Sequence, residues 1–99
     1  MNIKIQSIHF DADSKLLEFV EEKVNKLGRF YDGIIGGEVF LKLDKSSNAE
    51  NKVAEIKIQI RGNDLFVKKQ CKTFEEAVDT SILALTNQVK KYKEKAKGL

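Results

Sequence analysis

An α+β fold is predicted by this sequence: a two-layer sandwich of order β-α-β-β-β-α, with a four-stranded sheet carrying both helices on one face. Three observations predict it. Two stretches carry a single apolar stripe at helical period, and four others alternate apolar with polar side chains. Turn signals and capping residues fall between them. One-sided helices and one-sided strands each need a partner layer, and packing one kind on the other satisfies both.

The opening "NIKIQSI" places Ile3 and Ile5 on one side of a strand over about 2–8. Asp13 is an N-cap for "SKLLEFVEEKVNKL", whose Leu16, Val20, Val24 and Leu27 fall in one apolar arc, with Gly28 as the expected stop. In "GGEVFLKL", Val39, Leu41 and Leu43 face one way and Glu38, Phe40 and Lys42 the other. The polar run "DKSSNAEN" then joins it to "VAEIKIQIR", where Ile56, Ile58 and Ile60 point inward, making an antiparallel hairpin. "RGND" is a tight turn into "DLFVKKQCK". Leu65 and Val67 face in, but Lys69 follows in the same phase, which predicts a bulge or an early strand end. "TFEE" is a capping box with Thr73 as cap and Glu76 reaching back. The second helix follows to about residue 95, with Phe74, Val78, Ile82, Leu85, Val89 and Tyr92 on one stripe. A right-handed strand–helix–strand crossover makes the first two strands parallel. The uncovered sheet face is expected to be solvated, with Lys42, Lys57 and Arg61 among acidic partners.

At 99 residues the chain is expected to form one domain over 1–99. It contains no long apolar span and no signal-peptide layout, so the expected location is cytoplasmic, with no membrane partner. A lone cysteine, Cys71, rules out an internal disulfide framework, and with the lone His9 it leaves no zinc constellation. Neither a metal nor any other cofactor is expected. The charge is unevenly placed. Residues 90–97 hold five lysines against Glu94, while the rest of the chain carries 13 basic and 14 acidic side chains, so the whole +3 excess sits at the end of the second helix. Dipole complementation accounts for one or two exposed lysines at about 1 kcal/mol or less each, and not for five that repel one another. A polyanion offsets that repulsion by displacing condensed counterions. On the first helix, Lys15, Lys23 and Lys26 share one flank with Phe19 between them, and Glu18 and Glu21 take the other. The bland reading is a solvated surface with pairs such as Glu22–Lys26. The sharper reading makes Lys23 and Lys26 converge with a ridge of Lys91 and Lys95 into one continuous cradle for a phosphate backbone, with Lys90 and Lys97 pointing elsewhere so that the helix end is basic nearly all round.

No catalytic constellation competes with binding, and no small-molecule substrate is expected. His9 has no motif around it, Cys71 reads as a small buried residue, and "GIIGG" lacks the P-loop lysine and Rossmann spacing. The chain is therefore read as a non-enzyme. A protein–protein module using the open sheet face or edge strand is the alternative. A generic double-stranded RNA binder fits less well, because Glu75 and Glu76 start the last helix where a basic cluster is needed.

The order of elements, with "NI" opening the first strand, "LLEFVEEKVNKL" followed by "FYD", "VFLKL" in the second strand and "FEEAVDTSILALTNQVKKYKEK" in the final helix, resembles the short ribosome hibernation-promoting factors. That group, within the sigma modulation protein family, includes the ribosome-associated translation inhibitor, and the likeness covers essentially the whole chain. The resemblance implies a core like that of double-stranded RNA-binding domains. It implies binding to 16S rRNA in the small-subunit channel between head and body, over the A and P sites, which holds stationary-phase ribosomes idle. It also implies a short type without the C-terminal dimerisation domain of longer members; any ribosome-dimerising partner is left unidentified. The family's basic positions fall on Lys23 and Lys26 in the first helix and on Ala84, Asn87 and Lys91 in the second, so two family charges are absent here, and Leu83 replaces a usual acidic residue. Lys90, Lys93 and Lys95 are placed to compensate. The rRNA-binding set expected is thus Lys23, Lys26, Lys90, Lys91 and Lys95. Tyr92, on the apolar stripe, reads as core rather than as a base-stacking group, and Phe40 and Phe66 are placed on the open sheet face.

Overall fold

In the computed structural model, which describes residues 2–45 and 49–97 and side chains through residue 94, the chain runs β1 (Asn2–Ile8), α1 (Ser14–Phe30), β2 (Ile34–Leu43), β3 (Lys52–Ile60), β4 (Asn63–Cys71) and α2 (Phe74–Lys97). The sheet order is β1-β2-β3-β4, with β1 and β2 parallel and the other two pairings antiparallel. This is the predicted α+β arrangement. Asp13 caps α1, its Oδ1 accepting the Leu16 N–H at 2.8 Å. Thr73 caps α2, its Oγ1 accepting the Glu76 N–H at 3.0 Å.

The helices cover one sheet face. Val39 and Leu41 of β2 and Ile56 and Ile58 of β3 are fully buried beneath Val20 and Val24 of α1 and Val78, Leu85 and Val89 of α2. Gly37 fits this layer closely: a Cβ there would sit 3.1 Å from Ile58 Cδ1, which would have to give by a few tenths of an ångström, and in ordinary contact with Val24 Cγ1 at 3.7 Å. On the opposite face Lys42 pairs with Glu55 at 2.5 Å and Lys57 with Asp64 at 3.5 Å, as expected of a charge-paired surface, whereas Arg61 lies exposed in the turn between β3 and β4 and not on a strand.

Two local expectations are corrected. Gly28 does not end α1; the helix continues to Phe30 and closes where the Tyr31 N–H donates to the Leu27 carbonyl at 3.2 Å. A helical glycine costs about 1 kcal/mol against alanine, and here the two further helical residues carry Tyr31 onto Tyr92, ring centroids 6.1 Å apart and edge-on. Nor does β4 bulge or stop at Lys69. Its register with β3 is unbroken from Ile60↔Asn63 to Lys52↔Cys71. Lys69 lies opposite the small Ala54 on an edge strand, where a lysine reaches solvent without disturbing the ladder. The register shift occurs instead in β2, between Ile34 and Gly36. Ile35 is the extra residue and stands exposed, so that Ile34 and Val39 both face the helices.

One buried group is ill at ease. Ser81 of α2 is fully buried and its Oγ has no hydrogen-bond partner among the described residues. Burying an unpaired hydroxyl costs about 1–3 kcal/mol, and alanine is the better helix former. Ser81→Ala is expected to raise unfolding stability by about 1 kcal/mol in urea denaturation, with an unchanged m-value.

Candidate nucleic-acid interface

α1 and α2 lie side by side and run the same way. Phe10, just before α1, stacks on Phe74 at the start of α2, with centroids 4.7 Å apart. Further along, Lys23 of α1 meets Asp79 of α2 at 3.3 Å. One turn on, Lys26, Leu27 and Phe30 share a cleft of about 180 Å³ with Ile82 and Thr86. Phe30 then lines a second cleft, of about 420 Å³, with Lys90, Lys93 and Glu94. The seam between the helices therefore gathers Lys23, Lys26, Lys90 and Lys93 within the helix layer, away from the open sheet face.

These four lysines are held differently. Lys23 is half-buried, its Nζ 5.3 Å from the Phe19 ring centroid and ion-paired with Asp79. Such a part-exposed pair adds at most about 1 kcal/mol, but the carboxylate offsets the field of Lys23. Lys26 and Lys90 are exposed. Lys93 is half-buried, with Nζ 5.0 Å from the Phe30 centroid and 5.8 Å from that of Tyr31. That position fixes its stem while leaving its charge at the seam.

The continuous cradle expected from the sequence is corrected. Lys91 lies on the other flank of α2, beside Asn63 and Leu65 of β4 together with Gln88 and Tyr92, and does not join the α1 lysines. The α2 residues that do converge with Lys23 and Lys26 are Lys90 and Lys93. The Lys95 side chain lies outside the described residues. Of the α2 positions where the resemblance implied basic residues, Ala84 is half-buried and packs against the core, and Asn87 is exposed.

Tyr92 is a core residue, as read: it is half-buried, edge-on to Tyr31, and its hydroxyl donates to the Arg61 carbonyl at 3.2 Å. Phe66 is on the open sheet face, 54% exposed, and Phe40 is half-buried there. A second basic cleft, of about 400 Å³, opens on that face, where His9, Lys42, Lys45 and Lys68 surround Val53 with Asp44. Lys42 is already paired with Glu55 there, so less of that cleft's charge is available to a ligand. No cluster of three or more His, Cys, Asp or Glu side chains suited to a metal occurs among the described residues. No described helix is long and apolar enough to cross a membrane.

Comparison with known proteins gives one consistent result. The family model described as "Sigma 54 modulation protein / S30EA ribosomal protein" matches residues 3–97. A curated relative from Pseudomonas putida, named ribosome hibernation promoting factor, is 28% identical over 99 residues, spanning 100% of this chain and 93% of its own length. One of the same name from Klebsiella oxytoca is 25% identical over 97 residues, covering 98% of each chain. The crystal structure of the Thermus thermophilus Protein Y N-terminal domain superposes with a TM-score of 0.79 at 28% identity, covering 93% of this chain and 99% of that one. A ribosomal subunit interface protein from Coxiella burnetii shares the fold, with a TM-score of 0.82 at 20% identity over 94% of this chain and 98% of that one.

Proposed function

The chain belongs to the Sigma 54 modulation protein / S30EA ribosomal protein family, and from that premise we propose that it is a non-enzymatic ribosome hibernation factor. It binds the small ribosomal subunit by laying the α1–α2 seam against 16S rRNA in the channel over the A and P sites. Occupying that channel keeps mRNA and tRNA out and the ribosome idle. The observation that carries this reading is the convergence of Lys23, Lys26, Lys90 and Lys93 from two helices onto one seam. Charges on parallel helices fixed over one sheet match a phosphate backbone by shape, without reading sequence. The relatives named ribosome hibernation promoting factor support the same assignment.

Lys91 is the outlying member of the expected set, available only to RNA that reaches the β4 flank. With Lys23 already partnered, the seam offers about three phosphate contacts. Co-sedimentation with purified small subunits should then weaken with salt along a log–log slope of about −2 to −3. A flat salt dependence overturns the rRNA contact. It would favour a protein-binding role instead, a reading to which Ala84, Asn87 and the 64%-exposed Leu83 on α2 lend weight.

A further inference from the structure

Phe30 is large, apolar and 41% exposed, and it stands in the middle of the lysine seam. The other exposed large apolar side chains among the described residues do not share that setting: Phe66 is on the open sheet face, Ile35 is the bulged residue of β2, and Leu83 has no ring. Phe30 lines both clefts of the seam, one with Lys26, Leu27, Ile82 and Thr86 and the other with Lys90, Lys93 and Glu94. Its ring already faces the Lys93 ammonium at 5.0 Å. Its backbone is the last residue of α1, and the next residue, Tyr31, is tied into the helix end and against Tyr92. An exposed ring on a fixed backbone, bracketed by cations, is what a stacking platform for single-stranded nucleic acid requires. A protein partner would gain nothing from the surrounding lysines unless it were acidic, whereas an unpaired nucleotide uses both features at once: the ring takes its base and the lysines take its phosphates.

We infer that Phe30 stacks on an unpaired nucleobase, with Lys26 and Lys90 contacting the phosphates on either side of it. This rests on the rRNA reading above and adds a subsite to it. Glu94 shares the second cleft with Lys90 and Lys93 and repels a phosphate placed beside it, so within that cleft the phosphate is held on the lysine side.

The chain has no tryptophan, so Phe30→Trp supplies a single emission probe at the site. Its fluorescence is expected to be quenched by single-stranded oligoadenylate and by small subunits, but not by an RNA duplex of equal length. Phe66→Trp, on the open sheet face, is expected to stay unquenched. Phe30→Leu keeps an apolar side chain on the seam and is expected to bind small subunits roughly 10-fold more weakly with an unchanged salt slope, because stacking carries no counterion release. Unquenched Phe30→Trp alongside normal salt-dependent sedimentation overturns the stacking subsite and leaves the rRNA reading standing. Equal quenching by the duplex also overturns it. Absence of salt-dependent sedimentation in the unaltered protein removes the rRNA reading and this inference together.

Discussion

Replacing Lys26, Lys90 and Lys93 together by glutamate is expected to weaken small-subunit binding by at least about 100-fold at physiological salt, with circular dichroism unchanged. Each reversal removes an attraction and adds a repulsion. Unit charges about 4 Å apart in water interact by about 1 kcal/mol, and screening at about 0.15 M salt reduces this without abolishing it. Three reversals therefore total about 3 kcal/mol or more, enough for the predicted loss. Lys26 and Lys90 are exposed and Lys93 is half-buried, so the fold loses little. The geometry also orders the single changes: Lys90→Glu should cost more than Lys91→Glu, because Lys91 points to the β4 flank. Equal effects from the two would show that RNA wraps around α2 rather than seating in the seam. Asp79→Asn should act in the opposite direction. It frees Lys23 from its 3.3 Å partner and removes a negative charge from the seam, so binding should tighten several-fold while stability falls by at most about 1 kcal/mol.

The sequence made the fold legible because the apolar residues of its central elements keep strict period: Leu16, Val20, Val24 and Leu27 on α1, and Ile56, Ile58 and Ile60 on β3, are all buried as read. The site was legible only in part. Placing the end of α1 at Gly28 left Phe30 in a turn, where no helical face could be assigned to it. With the helix continued by two residues, Phe30 follows Lys23, Lys26 and Leu27 by seven, four and three residues, which is the spacing of one helix face. That spacing was the signal available. The flank of α2 that meets α1 is a different matter. The lysines of α2 cover nearly its whole circumference, so its own sequence does not say which of them face a neighbour. The buried stripe of Val78, Leu85 and Val89 sets the rotation of α2, and which side of that stripe meets α1 is seen only in tertiary contacts such as Lys23–Asp79 and the Phe30–Lys93 pair. This is why Lys93 replaces Lys91 as the partner of the α1 lysines.

Ile56→Ala is expected to have the largest effect on stability, and its comparison with the adjacent position tests the one-sided sheet on which the seam depends. Ile56 is fully buried at the centre of β3, an interior strand, between Val39 of β2 and Val67 of β4. Truncation to alanine leaves a cavity that a close-packed layer between sheet and helices does not readily collapse, at a cost of about 2–5 kcal/mol. Against a typical total of about 5–15 kcal/mol this is a large fraction, and for a domain of this size about 3 kcal/mol lowers Tm by roughly 10–20 °C. Lys57, the next residue, projects from the opposite face, where it is part-exposed and pairs with Asp64 at 3.5 Å. Lys57→Ala should change stability by less than about 1 kcal/mol. Thermal unfolding followed by circular dichroism measures both. A comparable loss from the two would mean that the second sheet face also carries structural weight. The helix layer would then not be the only support positioning α1 against α2, and the seam's geometry would depend on charges on the far side of the sheet.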